Sequence, residues 1–119
     1  MNFNTLKTIF ISGILTAAIP AAALASCPGE SSRRSIESTT PAPLTFMNST
    51  DNNEDYYRIY WIDFQGNRQL YTELFPGETY RVDTFLTHPW LITAPVPGGG
   101  EDCIGFVMPV AGGGVVNLE

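Results

Sequence analysis

Turn-forming residues punctuate this chain roughly every eight to twelve residues, and between them the side chains alternate with a period of two. This rhythm limits the fold more than any other feature. Such segments suit strands rather than helices, and they bury an apolar face by stacking sheet on sheet. Leu44–Asn48 alternates, and Ser49–Asp55 is a polar turn cluster. Tyr56–Phe64 is an aromatic and β-branched run, with Tyr60, Ile62 and Phe64 on one face and Ile59 and Trp61 on the other. Gln65-Gly66-Asn67 closes a hairpin, because glycine supplies the positive φ such turns need. Leu70–Leu74 is a short strand, and Pro76-Gly77 is the next turn. Thr79–Phe85 alternates again, with Tyr80, Val82 and Thr84 set against Arg81, Asp83 and Phe85. Trp90–Thr93 is another strand, Pro95–Asp102 a Gly/Pro-rich loop, and Cys103–Val110 a last apolar strand. The expectation is an all-β sandwich with its core in residues 44–110. A loosely held segment, 26–43, with room for an edge strand precedes it, and a frayed, flexible Gly-rich tail, 111–119, follows.

The first 25 residues have the pattern of a secretory signal peptide. Lys7 supplies a weak positive charge, Ile9–Ile19 an apolar stretch, and Ala23-Leu24-Ala25 a small-x-small cleavage site. The apolar run is short for a membrane span and holds Ser12, Gly13 and Pro20. Asp and Glu number 12 against 6 Lys and Arg, and Lys7 leaves with the leader. This acidic balance argues against nucleic acid and against docking on anionic lipid, both of which require clustered cations. Export makes a Cys27–Cys103 disulfide the leading expectation for the two cysteines. The competitor is lipidation, since Leu24-Ala25-Ser26-Cys27 has the form of a bacterial lipobox. The location implied is secreted or periplasmic, or a lipid-anchored envelope protein in the second case.

Side-chain chemistry narrows the function. One histidine and two separated cysteines match no usual metal-ligand spacing, so neither metal nor cofactor is expected. His88 could serve as a base for Thr84 with Asp83 close in sequence, but no serine occupies a nucleophile elbow, and enzymatic activity is not expected. Glu54-Asp55 and Glu101-Asp102 read as solvated loop carboxylates, and Asn48-Ser49-Thr50 as a glycosylation sequon that is informative only in a eukaryotic host. What remains is an ordered series of Trp61, Tyr71, Thr84, His88 and Trp90. An indole pair, a phenol, a hydroxyl and an imidazole together suit an apolar slot that binds one small polar group.

The order of that series resembles the β-domain of the von Hippel–Lindau tumour suppressor family. The similarity begins at Arg34-Ser35-Ile36-Glu37-Ser38 and continues through Leu44–Ser49. It is strongest in Tyr60–Gly66, Leu70–Gly77 and Thr84–Ile92, and from Trp61 to Trp90 the spacing fits without a gap. The resemblance implies a seven-stranded β-sandwich whose pocket takes 4-hydroxyproline from an extended peptide. Trp90 would then floor the slot, Thr84 and His88 would bond the hydroxyl, Tyr71 the peptide carbonyl, and Trp61 would wall it. Thr84 stands in place of the family serine, Asp83 of a histidine and Phe85 of a tyrosine. The family's helical domain, which recruits a ubiquitin ligase scaffold, has no counterpart here. The function implied is a secreted, non-enzymatic module with a peptide or protein partner containing hydroxyproline or proline. The alternative is a structural or envelope-associated interaction domain without that selectivity.

Overall fold

The structure, a computed structural model, describes residues 26–119. The signal peptide assigned to residues 1–25 therefore lies outside the described residues. Seven strands form two sheets: β1 (Leu44–Asn48), β2 (Tyr57–Ile62), β3 (Arg68–Leu74), β4 (Thr79–Val82), β5 (Trp90–Pro95), β6 (Glu101–Val107) and β7 (Gly114–Leu118). The first sheet has the order β4-β1-β7 and the second β3-β2-β5-β6. The expected all-β sandwich is the observed fold.

Between the sheets, the inward residues of each strand make one core. Leu44 and Phe46 from β1, Ile59 from β2, Leu74 from β3, Trp90 and Ile92 from β5 and Leu118 from β7 are all buried there. Trp61, Tyr80 and Val82 pack against them, as the alternation predicts. The outer face of the larger sheet is covered as well. Ile62 and Leu91 pack there beneath Cys27, with Tyr60 and Phe106 beside them. Both faces of β2 and β5 are thus apolar, which explains the unbroken hydrophobic run Trp90–Ile92.

Three expectations are corrected. The tail is not frayed throughout: Gly114–Leu118 is β7, paired in parallel with β1 from Leu44↔Gly114 to Asn48↔Leu118. A glycine run masked a Val-Val-Asn-Leu strand that inserts Leu118 into the core. Cys103 accordingly lies on the penultimate strand. Nor is segment 26–43 loose. After a single 3-10 turn at Glu30–Ser32, its backbone runs along the core hairpin and the β4–β5 connection. Ser35 N–H donates to Asp63 O (3.0 Å), Ile36 N–H to Thr87 O (3.1 Å) and Ala42 N–H to Thr84 O (2.8 Å), while Leu86 N–H donates to Thr40 O (3.2 Å). It makes one isolated bridge, Pro41↔Phe85, rather than an edge strand. Pro41 and Pro43 lack the N–H that a longer ladder requires.

The third correction concerns Glu101, which is not a solvated loop residue. It begins β6 and accepts hydrogen bonds from Arg58 (2.9 Å), Tyr60 (2.7 Å) and Arg68 (2.8 Å). Arg68 also bridges to Glu30 at 2.8 Å. This half-buried cluster lies beside the Cys27–Cys103 disulfide. That bond occupies the sulfur that lipidation of Cys27 would need. Asn48, the first residue of the sequon, is buried, and its amide is engaged by Asp55 O, Leu74 O and Thr50. It serves as a turn brace rather than a glycan carrier.

Candidate functional site

All five residues of the ordered series line one cavity of about 200 Å3, together with Phe64, Asp83 and Phe85. Three devices assemble it. Trp61 on β2 and Trp90 on β5 are direct cross-strand partners, so the two indoles share the inner face. Tyr71 sits at a β-bulge: Ile59 pairs with Thr72 and Tyr60 with Leu70, leaving Tyr71 without a partner in the register. A bulge re-aims a side chain. Strict alternation would set Tyr71 opposite in face to Thr72, yet its ring meets Trp90 edge-on at 4.9 Å and Trp61 at 6.3 Å. Thr84 and His88 come from the connection that crosses from one sheet to the other. Its shape is held by the bonds from residues 36–42 described above and by the turn His88 N–H→Phe85 O (3.2 Å).

The polar groups form an ordered chain. Trp90, only 1% exposed, donates its indole N–H to the Thr84 hydroxyl at 3.0 Å. One lone pair of that oxygen is therefore taken, and its own O–H is left to donate outward. The His88 ring packs tilted against Trp61 (5.7 Å) and edge-to-face against Phe64 (5.4 Å) and Phe85 (5.3 Å). Burial lowers its pKa below the ordinary histidine value, against a weaker opposing pull from Glu37, which favours the neutral imidazole. His88 Nε2 and Trp61 Nε1 are both buried and have no hydrogen-bond partner among the described residues. Unmet buried polar atoms are uncommon in native folds, and here both belong to residues that line the one cavity. Tyr71 is half-exposed at the rim.

Phe64 was not singled out as a site residue from sequence. Alternation assigned it to the face of Tyr60 and Ile62. However, β2 ends at Ile62, and the Asp63 carboxylate then caps the hairpin by accepting from Gln65 N (2.9 Å) and Asn67 N (2.8 Å). The turn swings Phe64 across to meet Trp61 edge-on at 5.7 Å. The available signal was the Asp63-x-x-Gly66 turn pattern, which ends the period-two rule before Phe64. Asp83 and Phe85, which the sequence did not single out as site residues, also wall the cavity. Among the described residues no group of three or more His, Cys, Asp or Glu could hold a metal ion.

A two-sheet sandwich with a recessed aromatic slot and hydrogen-bonding groups on its wall defines a β-domain binding module. The model of the VHL beta domain family matches residues 33–96. The match spans more than half of the 119 residues, and the chain belongs to the VHL β-domain family. That domain is a substrate-binding unit rather than a catalytic one. No curated protein matches the chain. Among the described residues no helix is long and apolar enough to cross a membrane.

Proposed function

We propose that this chain is a secreted, non-enzymatic binding module that takes a hydroxyproline-containing segment of an extended peptide in the Trp61/Tyr71/Thr84/His88/Trp90 slot. The observation that carries the reading is the polar chain on the slot wall. Trp90 fills one acceptor position of Thr84, leaving the Thr84 O–H as a donor, while neutral His88 keeps an unpartnered Nε2. A ligand hydroxyl accepts from Thr84 and donates to His88, and so satisfies both. Plain proline leaves both unmet, which is how such a site discriminates. The indole of Trp90 supplies the apolar floor, and the half-exposed Tyr71 phenol is placed for a peptide carbonyl. The cavity of about 200 Å3 exists with the Thr84 methyl in place, so the change from serine does not close it. The edge strand β4 offers backbone groups to an extended ligand.

The alternative, a structural or envelope-associated sandwich whose aromatic residues only pack, expects Trp61 and Trp90 fully buried and no cleft at His88; Trp90 is buried as it expects, but Trp61 is only partly buried and a cavity stands at His88. A cavity at His88, lined by two side chains whose buried nitrogens lack partners among the described residues, favours binding. Calorimetric titration with matched hydroxyprolyl and prolyl peptides tests the proposal. The expected result is a preference of at least about tenfold for the hydroxyprolyl peptide, lost in His88→Ala. Equal, negligible binding of both peptides, unaltered by His88→Ala, would sink it.

A further inference from the structure

The described residues include Arg33, Arg34, Arg58, Arg68 and Arg81. Three of these are neutralised: Arg58, Arg68 and Arg81 each pair with a carboxylate at 2.8–3.2 Å. Arg33 and Arg34 make no such pair among the described residues, although the chain carries 12 acidic side chains. Both line a second cavity, of about 350 Å3, with Ser31, Ser32, Gln65 and Gly66. Among the described residues, the arginines left without a carboxylate therefore share one concavity of an otherwise acidic molecule.

The site is built rather than incidental. The Arg33 guanidinium carbon lies 4.3 Å from the centroid of the Phe106 ring, which holds the planar group by cation–π stacking and presents its N–H edge in a fixed direction. Its Nε is buried and has no partner among the described residues. The backbone beneath is fastened to the hairpin, since Ser35 Oγ donates to Ile62 O at 2.6 Å. Gly66, at φ 85°, lets the hairpin tip approach closely; a Cβ there would stand 3.3 Å from Arg33 O.

We propose that this cavity binds a tetrahedral oxyanion, a phosphate or sulfate group, between the guanidinium groups of Arg33 and Arg34. The Ser31 hydroxyl and the Gln65 amide supply neutral donors. Two full positive charges with further donors exceed what a planar, singly charged carboxylate can use, and they match a dianion with oxygens in four directions. A cavity of about 350 Å3 falls within the range of small-molecule sites, so the oxyanion has room to arrive on a larger carrier. The site is distinct from the aromatic slot and does not depend on peptide binding there.

Nuclear magnetic resonance titration of the disulfide-bonded protein tests this, with inorganic phosphate, sulfate, a hexose phosphate and acetate added at constant ionic strength. Saturable shifts of the Arg33 Nε–H and of the Gln65 and Gly66 amides are expected with phosphate and sulfate. Arg34→Gln, at an exposed and unpaired position, is expected to weaken binding by about tenfold while leaving the unfolding temperature unchanged. Tighter binding of the hexose phosphate supports an ester as the ligand; equal binding supports the free anion. The proposal is overturned by the absence of saturable shifts, by acetate binding as tightly as phosphate, or by Arg34→Gln having no effect.

Discussion

Replacing Thr84 by valine separates the two duties of one hydroxyl. Thr84 is 4% exposed and Trp90 is 1% exposed, and the indole N–H reaches the threonine oxygen at 3.0 Å. Valine keeps the shape of threonine, so no void opens, but the indole N–H becomes a buried donor without an acceptor. Such an orphan costs about 1–3 kcal/mol. Taking about 2 kcal/mol, a domain of this size loses roughly 10 °C in unfolding temperature. The preference for hydroxyprolyl over prolyl peptide should collapse together with the stability. Thr84→Ser keeps the hydroxyl and sheds one methyl, so it should lose only about 1 kcal/mol and retain the preference. Urea unfolding and calorimetric titration of the three proteins decide the matter. A valine variant within about 0.5 kcal/mol of the parent would refute the role of the bond in holding Trp90. A valine variant that still selects hydroxyproline would refute the assignment of selectivity to this hydroxyl.

Burial pushes the Glu101 carboxyl up, but hydrogen bonds from Tyr60, Arg58 and Arg68 outweigh it and bring the pKa from 4.5 to about 2. A lowered folded-state value means stability that is present above 4.5 and lost as pH falls toward 2, on the order of 2–3 kcal/mol. Urea midpoints across that range should show this loss, and Glu101→Gln should flatten it. Reducing the Cys27–Cys103 bond, which spans 76 positions, should remove about 4 kcal/mol, measured by unfolding with and without reductant after thiol alkylation confirms the redox state. Truncation after Val110 removes β7 and the buried Leu118 and unpairs one edge of β1. Circular dichroism melts should show at least about 3 kcal/mol lost or a non-cooperative transition, whereas a frayed tail would make the truncation silent.

Much of the fold was legible because period-two alternation reports a half-buried strand directly. Ile59 and Trp61 facing one way, Tyr60 and Ile62 the other, follows from the pleat alone, and both faces proved to be packed. Alternation misleads where the backbone breaks its own period. Tyr71 sits on a bulge and Phe64 beyond a capped turn, so neither faces where counting would put it. The Gly-rich approach to β7 concealed a strand because parallel pairing with β1 leaves no local turn signature. Segment 26–43 looked loose because its hydrogen bonds go to residues far along the chain, and composition carries no record of them.

The sequence by itself determined the strand-and-turn rhythm, the sandwich class and the ordered Trp, Tyr, Thr, His, Trp series, while it left the Cys27–Cys103 bond and lipidation of Cys27 as competing expectations. Each depends on local propensity or on residue order, both of which are present in one dimension. Only the tertiary structure decided that these five side chains meet in one cavity and that the Thr84 oxygen is already half-occupied by Trp90. It alone left His88 Nε2 and Trp61 Nε1 unpartnered, and it alone brought Arg33 and Arg34 to the hairpin tip without a carboxylate between them. The physical reason is that a hydrogen bond or an ion pair is a statement about distance. Cross-strand pairing, one bulge and a pinned crossing loop set those distances among residues up to dozens of positions apart.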